Sequence, residues 1–299
     1  MVLVVTTLAP QLRTRNFMNN ELIQGSADWL EMRKQHVGAS DAPVIMGVSP
    51  YKTQHQLWEE KLGLTNNDYS NKGTKYGQEM EEPARRAYEK LTGIIVAPTV
   101  VFHPDRPYMM ASLDGLSFDK KTAVEIKNVC EEDHEKAKSG VVPEKYFPQV
   151  QHQLAVLDLP SLHYFSFRKG DFALVDVLKD DNYLQTLYSA EKEFWDSVLN
   201  FKEPNLSDRD YQKFISQEWE TMAKEWKETN EQLKALTARE KEYRQALITL
   251  ACDGNATGAG IKLTKSIRKG TVDYSRIPEL EGVDLDQYRK DPVVAWRLT

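Results

Sequence analysis

The chain has 299 residues, 40% hydrophobic and 28% charged, which is enough to bury a packed core and excludes wholesale disorder. Its formal net charge of -6 excludes a non-specific basic DNA coat, though not an enzyme whose basic residues line one groove. Two cysteines, Cys130 and Cys252, exclude a four-cysteine metal site and a disulfide framework, and the six histidines lack zinc-hydrolase spacing; a bound metal would be a hard cation on carboxylates.

The apolar run at 1–10 has no basic n-region, is too short to span a bilayer, and reads as a leader or first strand. Trp29, Leu30 and Met32 mark a helix from 26 or 27 to 35. Gly38-Ala39-Ser40-Asp41 turns into a second helix, with Ser40 or Asp41 as N-cap and Pro43 in its first turn. Residues 53–62 form a third helix, closed by Gly63. A longer one runs over about 74–91, with Tyr76, Met80, Ala84, Ala87, Tyr88 and Leu91 near one face. Pro83 has no amide donor, so it must kink this helix or mark a restart.

Three short runs, 94–102, 108–118 and 122–129, read as strands bounded by Pro, Asp and Gly. Glu131-Glu132-Asp133 with His134 and Glu135 reads as a solvated acidic loop. Pro148 opens a helix to 157, residues 162–168 and 172–178 form a hairpin around Lys169-Gly170-Asp171, and a helix at 182–199 closes the unit. Lys202-Glu203-Pro204-Asn205 is a linker, which sets a mixed α/β domain at 1–205 apart from an extension at 206–299.

In the extension, positions 219, 226, 233, 240 and 247 are Trp, Trp, Leu, Glu and Leu, while 222, 229, 236, 243 and 250 are Met, Thr, Leu, Tyr and Leu. That is a heptad stripe on a helix of about 210–251. It pairs with a second copy or folds back on the first domain; the bulk of Trp219 and Trp226 favours the second. Gly254, Gly258 and Gly260 break it, and 261–274 and 293–298 alternate like strands. Lys262, Lys265, Arg268 and Lys269 are a basic stretch for DNA or a partner, or simply an edge guarded by lysines.

The chemistry concentrates at Asp114, Glu125 and Lys127. Glu-x-Lys occurs three times, but only Glu125/Lys127 sits in an apolar strand, Ala123-Val124-Glu125-Ile126-Lys127. A strand repeat of two puts both charges on one face and Val124 and Ile126 on the other. Two buried charges need partners or a metal. An intervening turn would bring Asp114 beside Glu125, where a divalent cation relieves their repulsion and Lys127 orients or deprotonates a water for attack on phosphorus.

This D–ExK pattern resembles the PD-(D/E)xK nuclease superfamily. Trp29-Leu30-x-x-Arg33, Gly38-Ala39-Ser40-Asp41, Ile45-Met46-Gly47-x-Ser49-Pro50-Tyr51 and Leu57-Trp58 resemble the N-terminal signature of YqaJ-type viral recombinases, the lambda exonuclease-like branch. Gly77-x-x-x-Glu81, Leu113-Asp114-Gly115-Leu116, Val124-Glu125-Ile126-Lys127 and Gln149-Val150-Gln151 follow in that family's order. The resemblance spans about 24–199. One departure is Ala-Ser-Leu-Asp before the first acid, without the family's common proline, which is not a ligand.

The resemblance implies a restriction-endonuclease-like core, a mixed central sheet flanked by helices. It implies magnesium, with manganese able to substitute, on Glu81, Asp114, Glu125 and the Ile126 carbonyl. Lys127 matches the catalytic lysine, Gln149 the glutamine that positions water or phosphate, with Gln151 the nearby alternative. Arg33 and Ser40 match a pocket for a 5′-terminal phosphate, a fork and a helix N-terminus being suited to an anion. The expected activity is an exonuclease on double-stranded DNA ends, 5′ to 3′, leaving 3′ single strands for an annealing protein. A ring-shaped trimer, a bacterial cytoplasmic setting and phage or prophage origin are further expectations. The alternatives are an endonuclease of the same fold, or a catalytically silent module that binds DNA ends or protein.

Plainer readings stand beside these. Glu81 and Arg85 suit an i,i+4 surface pair, Arg33 a pair with Asp28 or Glu31, Ser40 a cap, Gln149 a helix surface and His152 helix packing. Lys52, Lys72, Lys75, Arg85, Arg86, Lys136 and Lys138 are candidates for phosphate contacts.

Overall fold

The computed structural model describes residues 25–65 and 72–280, and beyond them 282, 283, 285–288, 290, 296 and 298, with side chains from 79 onward in the fourth helix. The run at 1–10, the side chains of Lys72, Lys75 and Tyr76, and most of the strand expected at 293–298 lie outside the described residues. The chain divides into two units, Met1–Tyr211 and Gln212–Thr299.

The first unit runs α1 (Ala27–Lys34), β1 (Val37–Gly38), a 3-10 turn (Ala39–Asp41), α2 (Ala42–Ile45), α3 (Gln54–Lys61) and α4 (Lys72–Thr92). Then come β2 (Val96–Phe102), β3 (Met109–Ser117), β4 (Ala123–Asn128), α5 (Glu131–Lys138), α6 (Phe147–Leu157), β5 (Ser161–Arg168), β6 (Asp171–Leu178) and α7 (Asp181–Leu199). Side-chain caps start several helices: Ser26 accepts from the Trp29 amide, Asp180 from Tyr183, and Thr53 forms a capping box with Gln56.

Two local expectations need correction. The helix over 72–92 does not restart at Pro83 but runs through it. Pro83 and Glu79 are exposed, so the carbonyl that loses its donor can turn to water. The acidic run at 131–135 is helix α5, its acids in the first turn and Lys136 and Lys138 in the last, as the helix dipole favours. Asp133 and His134 are buried there, Asp133 paired with Lys145 at 2.6 Å and His134 bonded to Ser166 Oγ at 2.7 Å. Asp41 is the N-cap residue of α2, as expected, although its side chain makes no capping bond there and its carboxylate turns elsewhere.

β3 is the hub of a six-stranded mixed sheet. β2 pairs antiparallel along one edge of it. On the other edge, β1 pairs parallel with Met109–Met110 and β4 antiparallel with Gly115–Leu116. Among the described residues, 111–114 therefore has no strand partner on that edge, and the sheet opens between β1 and β4. β4 continues parallel to β5, and β5 antiparallel to β6.

β3 also carries one extra residue against β2 between Leu113 and Leu116, since Ala97 faces Leu116 and Thr99 faces Leu113. Such a bulge resets the in–out alternation, and it falls on Asp114-Gly115. Gly115 is required there by close approach: a Cβ would lie 2.5 Å from Val96 Cγ2 and 2.8 Å from Val124 Cγ1.

Helices cover both sheet faces. Ala84 and Tyr88 of α4 pack with Val96, Val124, Ile126, Phe165 and Phe167 on one side. Val150 and Leu154 of α6 and Leu187 of α7 pack with Ala111, Leu113 and Tyr164 on the other. A satellite cluster joins Val44, Leu57, Trp58 and Trp195 of α2, α3 and α7. His152 is packed as expected, fully buried between Glu191 Oε1 at 2.7 Å and the Met110 carbonyl at 3.0 Å.

The second unit holds α8 (Gln217–Leu250), with Ser216 accepting from the Trp219 amide, and a hairpin of β7 (Ala256–Gly258) and β8 (Ile261–Leu263). Ala259 and Gly260 both have positive φ, 48° and 79°, which suits a two-residue hairpin turn. The strand expected over 261–274 stops at Leu263, because only three residues find a partner strand.

Candidate functional site

The β3–β4 ladder ends at Gly115 opposite Val124. The next residue on each strand is acidic, Asp114 and Glu125. Past the last paired position the Ile126 amide has no ladder partner on β3, and Asp114 Oδ2 accepts from it at 2.8 Å. Val124 and Ile126 belong to the apolar cluster under α4, so Glu125 and Lys127 occupy the opposite face, toward α6.

Glu125 is almost wholly buried, and both of its carboxylate oxygens accept hydrogen bonds. Oε1 accepts from Lys127 Nζ and from Gln149 Nε2, each at 2.6 Å, and Oε2 accepts from Gln153 Nε2. Gln149 and Gln153 stand four residues apart on α6, on one helix face. Gln151 faces away: it donates to the Leu178 carbonyl at 2.9 Å and accepts from the Asp180 amide, so it is no alternative to Gln149. Sequence reasoning missed Gln153, which the i,i+4 spacing from Gln149 marks. It also missed Tyr146, three residues before Gln149, whose ring lies 5.5 Å from Lys127 Nζ and 5.2 Å from Lys145 Nζ.

Charge is unevenly matched here. Burial, and then the charge of Glu125, push the Asp114 carboxyl well above its usual range. Burial opposes the charge on Lys127, but Glu125 and Asp114 outweigh it and raise the lysine. Its neighbouring carboxylates therefore hold Lys127 as an ammonium. Burial also raises Glu81, Arg85 opposes, and the charge of Glu125 adds to the rise. Glu81 forms a long ion pair with Arg85 at 4.0 Å.

Asp114, Glu125, Lys127 and Gln149 thus meet at one point, with Glu81 within reach of their fields. These oxygen donors suit a hard cation, and two neighbouring carboxylates, one buried and one half-buried, gain from one. The ligand set is not closed, however: among the described residues no three His, Cys, Asp or Glu side chains are grouped to hold an ion. Lys127, Gln149 and Gln153 take the contacts on Glu125 that a cation would compete for.

A second cluster lies at the β1 end of the opening. Arg33 Nη2 donates to Ser40 Oγ at 2.9 Å and to Asp41 Oδ1 at 3.1 Å, so Arg33 pairs with neither Asp28 nor Glu31. The guanidinium lies 5.0 Å from the ring centre of Trp29, whose Nε1 donates to Ser112 Oγ of β3 at 2.8 Å. Beneath it Lys61, buried, donates to Asp41 Oδ2 at 2.6 Å and to the Arg33 and His36 carbonyls at 2.7 Å. Asp41 also accepts from the Gly38 amide at 2.9 Å. Burial opposes the charge of Asp41, but Lys61 and Arg33 together hold it well below the usual carboxylate range. The Arg33 side chain keeps 26% of its surface exposed, beside the Ser40 hydroxyl.

Of the proposed phosphate contacts, Arg85 and Arg86 pair with Glu82, Lys136 with Glu132, Lys138 with Glu135 and Asp171, and Lys52 with Glu60. The pairs of Arg86, Lys136 and Lys138 are exposed, and such pairs add little to stability.

Residues 28–160 match the YqaJ-like viral recombinase domain. An uncharacterized protein YqaJ of Bacillus subtilis is 29% identical over 187 residues, 60% of this chain. The match spans 58% of that curated relative's length. An alkaline exonuclease from Laribacter hongkongensis superposes with a TM-score of 0.51 at 24% identity, over 59% of this chain and 95% of its own. Its complex with dAMP gives a TM-score of 0.52 over the same shares at the same identity. The first unit therefore shares its fold with this alkaline exonuclease.

Proposed function

Over residues 28–160 the chain carries a YqaJ-like viral recombinase domain, and from that premise we propose that it is a metal-dependent exonuclease of double-stranded DNA ends. The observation that carries this reading is the convergence of Asp114, Glu125, Lys127 and Gln149 where β3 and β4 part. Magnesium, or manganese in its place, would be held by Asp114 and Glu125, with Glu81 and the Ile126 carbonyl as further donors, and would supply a Lewis acid for phosphodiester hydrolysis. Lys127 offsets the developing negative charge at phosphorus, and Gln149 orients the attacking water or the phosphate. Gln153 holds the second oxygen of Glu125 and fixes the carboxylate in place.

Arg33 and Ser40 would bind the terminal 5′ phosphate, the fork kept in position by Asp41 and Lys61. That assignment supports 5′ to 3′ digestion, with a 3′ single strand left for an annealing protein. Direction, product, a trimeric ring and a place in bacterial cytoplasm rest on the family likeness. No described helix is long and apolar enough to cross a membrane.

The deciding experiment is magnesium-dependent digestion of linear duplex DNA with 5′-phosphate or 5′-hydroxyl ends, by wild type and Lys127→Ala, beside closed circular DNA. Preferential loss of the phosphorylated duplex, abolished by Lys127→Ala, is the expected result. Cutting of closed circles makes it an endonuclease. Binding of ends without digestion by a folded, magnesium-supplied protein leaves a silent module. Digestion indifferent to phosphate removes the roles given to Arg33 and Ser40.

A further inference from the structure

The second unit presents α8 with a line of exposed apolar side chains: Trp219, Met222, Leu233, Leu236, Tyr243, Leu247 and Leu250, between 39% and 79% exposed. Trp226 on the same line is half-buried. At 1.5 Å per residue the helix is about 50 Å long. Seven such residues offer apolar area on the order of the ~800 Å² per partner of a standard interface. An exposed apolar stripe of this length is unusual on a chain that remains single.

Two polar residues interrupt the seam, Thr229 and Glu240, and they identify the occupant. In a parallel pair of α8 helices each residue meets its own copy. Glu240 would then face Glu240 inside the seam, and Arg239 would flank Arg244 across it, both like-charge contacts. In an antiparallel pair, a residues face d residues. Trp219 then meets Leu250, Trp226 meets Tyr243, Leu233 meets Leu236, and Met222 meets Leu247, so neither tryptophan faces its own copy and their bulk, which weighed against a pair, is accommodated. Glu240 meets Thr229, so the two polar positions fall on each other and every remaining layer is apolar. The flanking positions then bring Gln232 to Arg239 and Ala223 to Arg244, with no like charges opposed.

We infer that α8 is a self-association helix that docks antiparallel on the α8 of a second copy of this chain, centred between Lys234 and Ala235. The polar Glu240–Thr229 layers set register and direction, because a shift of one heptad places Glu240 against an apolar residue. Two nuclease units would then be tethered through their second units, independently of the chemistry each performs.

The test uses full-length chains in a Cys130→Ser, Cys252→Ser background, since both natural cysteines are exposed. Met222→Cys and Leu247→Cys chains are prepared singly and as an equimolar mixture refolded together, then oxidised gently. A disulfide-linked dimer in the mixture, with little in either single variant, is expected. Cross-linking within each single variant means a parallel pair and overturns the inference; absence of a cross-link in the mixture overturns it too. In light scattering, Leu233→Asp with Leu236→Asp should lower the assembly mass at least twofold while circular dichroism still reports the helix. A mass unchanged by that pair means that another surface, or the chain's own first unit, covers α8.

Discussion

Asp114 and Ile126 meet where two strands stop pairing: the aspartate carboxylate replaces the missing strand partner of the isoleucine amide, at 2.8 Å. One hydrogen bond thus ends a β-ladder and holds a carboxylate next to Glu125; desolvation, and then the charge of Glu125, raise that carboxyl. Asp114→Asn keeps the acceptor and removes the like charge. Without divalent cation the variant should melt higher by a few degrees, corresponding to about 1 kcal/mol or more, and should not digest DNA. A lower melting temperature would mean that this repulsion does not weigh on the fold.

Added magnesium should relieve the same repulsion in the wild type. At about a hundredfold excess over the dissociation constant, the gain is roughly 2.7 kcal/mol, readable as a rise in melting temperature. Asp114→Asn should lose most of that rise. An equal rise in both proteins would place the ion elsewhere.

Gly115→Ala forces a methyl group to within 2.5 Å of Val96 and 2.8 Å of Val124. Overpacking of this kind costs about 1–3 kcal/mol, and here it also pushes on the bulge that carries Asp114. Urea unfolding should show the loss, with digestion falling further than stability alone explains. A variant of unchanged stability would mean that the bulge relaxes freely.

Asp41 sets an acid limit. Its folded carboxyl lies well below the ordinary value of 3.8, so the unfolded chain takes up the proton first. Its contribution is therefore fully present above about pH 4 and is lost as pH falls through the range below. Asp41→Asn should be less stable at neutral pH and should show a shallower fall in melting temperature between about pH 4 and pH 2. Parallel acid curves for the two proteins would contradict the assignment.

Arg33→Ala removes the charged fork beside Ser40. A charged hydrogen bond contributes about 1.5–3 kcal/mol, so the preference for 5′-phosphorylated over 5′-hydroxyl ends should drop roughly ten- to a hundredfold, while hydroxyl ends are digested at nearly the wild-type rate. Competition between the two duplexes in one reaction reads this ratio directly. Equal losses on both ends would make Arg33 a structural residue of α1.

Local chemistry made much of this fold legible. Ser26, Thr53 and Asp180 start helices because their side chains bond amides within the next turn. The alternation in Ala123-Val124-Glu125-Ile126-Lys127 separated core from charge because a strand repeats every two residues. The heptad stripe of α8 was readable for the same reason, periodicity being a property of neighbours in the chain.

What required the tertiary structure was pairing between distant segments. That Asp133 of α5 is buried on Lys145 depends on a residue twelve positions away. Choosing Gln149 and Gln153 over Gln151 required knowing which face of α6 meets β4. The opening along β3, with Arg33 and Ser40 at one end and Asp114 and Glu125 at the other, arises because β1 and β4 claim only the two ends of one strand edge. Residues at 33, 40, 114 and 125 carry no local sign of that arrangement, since hydrogen bonds between strands depend on register, and register is set by the packed core.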